Sequence, residues 1–84
     1  MSMNTLELYI RDGCPFCHKV LEAAEGMHIT FTQHNIGDPA VAAELIARGG
    51  KQQVPYLVDT ETGIEMYESD DIIEYLKDTQ ADPQ

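Results

Sequence analysis

The chain has 84 residues, 43% of them hydrophobic, with fifteen acidic against five basic side chains for a net charge of −10. That length predicts one domain, residues 1–84, with one modest core, because a chain of this size buries only about 60% of the surface it exposes when unfolded, and the composition is that of a folded rather than a disordered chain. The charge argues against a general nucleic-acid binder and against attachment to anionic membranes, both of which call for basic surface, and no run approaches the roughly 18–20 apolar residues of a membrane span.

Residues 5–10 alternate, with Leu6, Leu8 and Ile10 on one face and Glu7 and Tyr9 on the other, which is a strand signal. Asp12 and Gly13 break it. Pro15 suits the first turn of a helix, where its missing N–H is not needed. Cys17, Val20, Leu21 and Ala24 then share one helical face, and Gly26 can end the helix. Residues 29–34 are rich in strand formers, with Ile29 and Phe31 on one side. Asp38 and Pro39 read as the N-cap and first residue of a second helix. Its apolar stripe is Val41, Ala42, Leu45 and Ile46, and Gly49 and Gly50 end it. Residues 55–59 form a short apolar strand, residues 60–63 a turn, and residues 64–67 the returning strand of a hairpin. Ser69 is the expected N-cap of the last helix. Asp70 and Asp71 sit in its first turn, where negative charge suits the helix dipole, and Ile72, Ile73 and Leu76 make its buried face. Residues 79–84 are polar, contain Pro83 and read as a loose tail. The order is β-α-β-α-β-β-α. With a right-handed crossover making the first β-α-β unit parallel, and a hairpin pairing the last two strands antiparallel, the fold class is α/β: a four-stranded mixed sheet with three helices on its faces.

Cys14-Pro15-Phe16-Cys17 is the feature that carries chemistry. Residues 1–8 hold Asn4, Thr5 and Glu7 and no apolar run, so no secretory leader is expected. A lone C-x-x-C in a cytosolic chain points to redox chemistry rather than to a disulfide framework. Placed where a strand ends and a helix begins, Cys14 meets free backbone N–H groups and the positive end of the dipole, which favour its thiolate and lower its pKa. The thiolate is the attacking species. Cys17, one turn later, is placed to resolve a mixed disulfide on Cys14, and burial in the helix makes it the poorer nucleophile. His18 completes a C-x-x-C-H haem-attachment pattern, but that chemistry belongs to exported proteins and this β-rich pattern leaves no pocket of packed helices for haem. A structural zinc site wants four ligands. Cys14, Cys17 and His18 make three, and His28 or His34 would have to come from across the fold, so no metal is expected.

Arg11 and Lys19 flank the cysteines, and Arg48 and Lys51 precede Val54-Pro55. If the two segments meet, they form a positive mouth that draws an anionic ligand such as a peptide carboxylate. Val54-Pro55 can simply mark a strand edge. Beside a redox pair, a cis-proline turns the preceding backbone outward, so that the N–H and C=O of Val54 can pair with a peptide as a short added strand. Glu68-Ser69-Asp70-Asp71 is first of all a well-capped helix start. Its free N–H groups also suit a carboxylate, and Asp70 or Asp71 can accept from an ammonium group. The γ-glutamyl end of glutathione offers both charges.

Leu8-Tyr9-Ile10-Arg11, Cys14-Pro15-Phe16-Cys17-His18, Gly50-Lys51 before Gln53-Val54-Pro55, and Ser69-Asp70-Asp71, in this order, make the chain resemble the glutaredoxins over residues 6–76. The resemblance implies a thioredoxin fold and glutathione-dependent reduction of protein disulfides and glutathione mixed disulfides, with Cys14 attacking and Cys17 resolving. It further implies glutathione contacts from Arg11 and Lys51 at the glycine carboxylate, Phe16 in place of the usual tyrosine, Gln53 in place of a common threonine, the Val54-Pro55 backbone, and Ser69, Asp70 and Asp71 at the γ-glutamyl end. Tyr67-Glu68 stand where Gly-Gly is common. Glu68-Ser69 followed by Ile72 looks like the glutathione-contact segment of glutathione transferase N-terminal domains, which share the fold. A transferase proper would need a further helical domain, for which 84 residues leave no space. Glutathione is the expected reducing co-substrate, with no tightly bound cofactor, since there is no G-x-G-x-x-G for a nucleotide. A separate reductase would recycle it, and a thioredoxin-reductase-fed variant stays open. The expected partners are glutathione and disulfide-containing or glutathionylated proteins, the expected setting is the cytoplasm, and the expected state is a monomer. Two alternatives remain: a non-catalytic glutathione-binding module, and an iron–sulfur cluster carrier, which in this family resembles the C-G-F-S pattern more closely.

Overall fold

The computed structural model describes residues 6–79. Seven elements follow in the expected order: β1 (Leu6–Ile10), α1 (Pro15–Gly26), β2 (Thr32–Asn35), α2 (Pro39–Gly49), β3 (Tyr56–Asp59), β4 (Ile64–Met66) and α3 (Ser69–Thr79). The strands make one mixed sheet in the order β2-β1-β3-β4. β1 runs parallel to β2, with Tyr9 opposite His34, and antiparallel to β3, with Leu8 opposite Leu57. β3 and β4 pair antiparallel from Asp59–Ile64 to Leu57–Met66, where the ladder stops. This is a thioredoxin-like α/β fold. Among the described residues, no helix is long and apolar enough to cross a membrane.

Strand alternation sends side chains to both faces of the sheet, and both faces are covered. Leu6, Leu8 and Leu57 pack with Val20 and Ala24 of α1 and Ile72 and Leu76 of α3. Tyr9, Tyr56 and Val58 pack on the opposite face with Leu45 of α2 and Ile36. The one modest core expected from length is thus two thin layers, because a central strand covered on both sides must bury both of its faces. Tyr9 is fully buried in the second layer. Among the described residues its hydroxyl has no hydrogen-bond partner, although Arg48 and Glu44 lie near enough to act on it electrostatically, and burial pushes its pKa up.

Several boundaries differ from the sequence pattern for identifiable reasons. β2 begins at Thr32 rather than residue 29, because the preceding residues cap α1: the N–H groups of Met27 and Ile29 both donate to the Ala24 carbonyl, and His28 turns the chain at φ 61°. Ile29 and Phe31 instead pack against the α1–α3 layer from the connection. In α2, Asp38 caps as expected, accepting from the Ala40 N–H at 2.9 Å, and Gly50 closes the helix in the left-handed region at φ 89°. Ile46 leaves the expected stripe and is 43% exposed, because Leu45 takes the position facing the sheet. α3 starts one residue before the expected boundary. Glu68, at φ 73°, holds the capping position with its carbonyl accepting from the Ile72 N–H, and Ser69 is buried inside the first turn. Thr79 belongs to α3 and donates its hydroxyl to the Tyr75 carbonyl at 2.7 Å. The remainder of the expected tail, residues 80–84, lies outside the described residues.

Asp59 ties the β3–β4 turn to α3. It is fully buried, accepts from the Tyr75 hydroxyl at 2.6 Å and accepts from the Glu61 N–H at 3.0 Å. Burial alone opposes its ionisation, but the Tyr75 hydroxyl and the turn amides outweigh it and hold its pKa below the ordinary carboxylate value. A depressed folded-state pKa contributes stability that is complete above the unfolded value and is lost as pH falls through the folded one. Urea-derived stability is therefore expected to fall from about pH 4 downward. Asp59→Asn should cost about 1–3 kcal/mol at neutral pH and flatten that acid limb. A variant with the wild-type acid limb would remove Asp59 from this role.

Candidate active site

The site is built where β1 hands over to α1. Gly13, at φ 76°, supplies the turn that a side chain would strain. Cys14 follows in an extended conformation as the N-cap of α1, its N–H bonded to the Arg11 carbonyl at 3.2 Å and its carbonyl taking the first helical bond from His18. Its Sγ accepts from the Cys17 N–H at 3.2 Å. Pro15 occupies the first helical position, where it needs no donor. Cys14 is 7% exposed and Cys17 2%, and both are free thiols.

Two neighbouring sulfurs thus receive opposite treatment. Burial works against the Cys14 thiolate. The Cys17 thiol, the N–H groups of Cys17 and Phe16 and the charge of Arg11 outweigh it, and its pKa falls below the ordinary thiol value of 9.0. Cys17 is pushed up to about 12, first by burial and then by donating to Cys14 and facing its charge.

Two adjoining clefts open beside Cys14. One, of about 310 Å³, is lined by Arg11, Cys14, Pro15, Phe16, Ile36 and residues 52–54. The other, of about 340 Å³, is lined by Phe16, Gln53, Val54, Pro55, Glu68, Ser69 and Asp70. Phe16, Gln53 and Val54 belong to both, and the Phe16 ring is 59% exposed at their border. The Val54–Pro55 peptide is cis. A roomier cavity of about 610 Å³ lies at the far end of α1, around Leu21, His28, Ile29 and Phe31. It holds no thiol, so size does not make it the site.

Of the residues singled out in the sequence, the clefts bring together Arg11, Cys14, Phe16, Gln53, Val54, Pro55, Ser69 and Asp70. Cys17 lies beneath, through its contact with Cys14. Asp71 and Lys51 line neither cleft. Asp71 is exposed on α3, and the Lys51 ammonium sits 4.7 Å above the Tyr67 ring centroid. The expected positive mouth is reduced to Arg11, because the other cations have partners: Lys19 pairs with Asp70 at 2.6 Å, and Arg48 pairs with Glu65 of β4 at 3.0 Å. His18 pairs with Glu22 one turn on, and His34 with Glu7 across the β1–β2 pair. The residue that sequence reasoning placed least securely is Glu68. Its carboxylate accepts from the Gln53 side chain at 3.3 Å and lines the second cleft. Its position before Ser69 was the available signal, whereas its left-handed backbone has no signature in a non-glycine residue.

The family model for the glutathione S-transferase N-terminal domain matches residues 8–84. The chain belongs to this family. Within it, the chain is glutaredoxin-like: it is 30% identical to glutaredoxin 3 of Escherichia coli strain K12 over 56 residues, which are 66% of this chain and 68% of that protein. Among solved structures, a trimeric glutathione transferase from Leishmania matches with a TM-score of 0.79 and 26% identity, over 96% of this chain and 18% of that one. Glutathione transferase Omega 3C from Trametes versicolor matches in fold with a TM-score of 0.81 and 21% identity, over 98% of this chain and 37% of that one. This glutaredoxin-like chain thus spans well under half the length of the transferases it superposes on.

The opposed thiol environments are directly testable. Iodoacetamide should alkylate Cys14 with a pH midpoint below 9.0, while Cys17 stays unreactive until far higher pH. Cys17→Ala, which removes the thiol donor but leaves the backbone donors, should move the Cys14 midpoint upward. A midpoint that does not move would assign the whole depression to the helix start and Arg11.

Proposed function

We propose that this chain is a glutathione-dependent thiol–disulfide oxidoreductase that reduces protein disulfides and glutathione mixed disulfides through a Cys14 thiolate. The observation that carries the reading is the placing of a stabilised Cys14 sulfur at the N-cap of α1 beside a cleft whose walls offer a cation at Arg11, backbone at Val54 and a buried helix start at Ser69. Arg11 takes the glycine carboxylate, Val54 pairs with the peptide backbone, and Ser69 and Asp70 meet the γ-glutamyl end. Lys51 and Asp71 lie at the periphery of this arrangement and act by charge at a distance.

In the first step the Cys14 thiolate attacks the glutathione sulfur of a mixed disulfide. The Cys14–glutathione bond forms, the original S–S bond breaks, and the substrate leaves as a thiolate that takes a proton. A second glutathione thiolate then attacks the same sulfur and releases oxidised glutathione. For a protein disulfide, Cys17 resolves instead: it loses its proton, attacks the Cys14 sulfur and expels the substrate thiol, and two glutathiones later reduce the Cys14–Cys17 disulfide. Part of what raises the Cys17 pKa is its bond to Cys14 and the charge there. Both vanish once Cys14 is in a mixed disulfide, so Cys17 becomes easier to ionise at the moment it is needed. The cytosol, where glutathione keeps thiols reduced, suits this chemistry. A second reading, a glutathione-binding module without turnover, draws on the transferase-like Glu68-Ser69 segment, but it gives the second thiol no task.

A turnover assay with a small glutathione mixed disulfide, glutathione, glutathione reductase and NADPH separates the two. Wild type should turn over, Cys14→Ser should lose activity by at least about 100-fold, as expected for loss of the nucleophile, and Cys17→Ser should keep it. Glutathione binding without turnover in the wild type would favour the second reading.

A further inference from the structure

Tyr67 stands between the end of β4 and Glu68. Its hydroxyl donates to the Lys51 carbonyl at 2.8 Å and accepts from the Lys51 N–H at 3.1 Å, so one phenol occupies both backbone groups of one residue. The ring packs against Tyr56, with centroids 4.4 Å apart, and lies under the Lys51 ammonium. Gly49 makes room for it: a β-carbon at that position would collide with the Tyr67 hydroxyl oxygen. The β3–β4 ladder ends at Leu57–Met66, and the walls of the second cleft begin just beyond that point, with Gln53 and Val54 on one side and residues 68–70 on the other. Nothing in the ladder holds those walls at a fixed spacing. Among the described residues, two side-chain cross-links span them: Tyr67 to Lys51, and Glu68 to Gln53 at 3.3 Å.

We propose that Tyr67 is a positioning residue for the ligand cleft, its hydroxyl acting as a strut that carries the spacing of β3 and β4 past the end of their ladder and fixes the Gln53–Val54 wall against Ser69 and Asp70. The proposal rests on the glutathione reading of that cleft. Preorganising a wall lowers the cost of binding. The strut touches neither thiol, so it acts on affinity and leaves the Cys14 sulfur alone.

Tyr67→Phe keeps the ring, its packing on Tyr56 and the Lys51 cation over it, and removes both hydrogen bonds. The amide of Lys51 should be protected from hydrogen exchange in the wild type and exchange about tenfold faster in the variant, the effect of losing about one net hydrogen bond. KM for a glutathionylated peptide should rise about three- to tenfold by the same arithmetic, with kcat and the rate of Cys14 alkylation unchanged. Wild type that turns over with glutathione while Tyr67→Phe shows the same KM overturns the proposal and leaves the glutathione reading intact. An unprotected Lys51 amide in the wild type overturns it without recourse to the variant. A fall in kcat or alkylation rate alongside KM would mark a general structural loss and overturn it too. Wild type with no turnover and no glutathione binding removes the reading on which the proposal rests.

Discussion

The backbone N–H of Cys17 bonded to the sulfur of Cys14 is the interaction on which the site depends. It exists only because α1 is capped at Cys14, and the cap falls there because three neighbouring choices agree. Gly13 takes the left-handed turn out of β1, Cys14 accepts the capping role that Ser, Thr or Asp more often fill, and Pro15 begins the helix without needing a donor. The consequence is electrostatic. Donors that would otherwise be left unpaired at the helix start point at a sulfur and, together with the Cys17 thiol, hold its pKa below the ordinary thiol value although it is nearly buried. One turn further on, inside the same helix, an identical side chain is driven the other way. With the charge of Arg11 and the Cys17 thiol added to the backbone donors, these opposed shifts support the proposed division of labour between attacking and resolving thiol.

The rest of the fold positions a wall opposite that sulfur. Covering the sheet on both faces fixes β1 and β3 in register, and this sets where residues 52–55 pass Cys14 and where α3 begins. The protein is strongly acidic as a whole, yet Arg11 lies at one end of the paired clefts and Glu68 and Asp70 at the other. That polarity suits the proposed ligand, whose glycine end is anionic and whose γ-glutamyl end carries an ammonium group. Asp70 is already engaged by Lys19, but both groups are exposed, and an exposed pair is worth only about 0–1 kcal/mol, so a ligand ammonium can exchange with Lys19 at little cost.

The parts of the fold governed by local pattern were legible in the sequence: the element order, the Asp38-Pro39 helix start, the Gly49-Gly50 stop and the cysteine at a strand-to-helix junction. The parts decided by partners distant in sequence were not. Residues 29–31 look like strand but are diverted because the Ile29 N–H is needed by the Ala24 carbonyl. Arg48 and Lys51 look like members of a basic mouth but are claimed by Glu65 and the Tyr67 ring. Tyr9 alternates onto the face opposite the leucines, and only the packed chain shows that Leu45 of α2 covers it there. Glu68 in a left-handed conformation, and the clearance that Gly49 leaves for Tyr67, are properties of the packed chain that no spacing rule encodes.

On the proposed reading, a glutathione joined to Cys14 lies along the Arg11–Val54–Ser69 trough. It is tested most directly by glutathionylating Cys17→Ser and comparing its backbone amide NMR spectrum with that of the reduced variant. One adduct is expected, on Cys14, with the largest shifts at Arg11, Gln53, Val54, Ser69 and Asp70 and little change around Leu21, His28 and Phe31. Failure to form the adduct, or shifts centred on the cavity at the far end of α1, would contradict it.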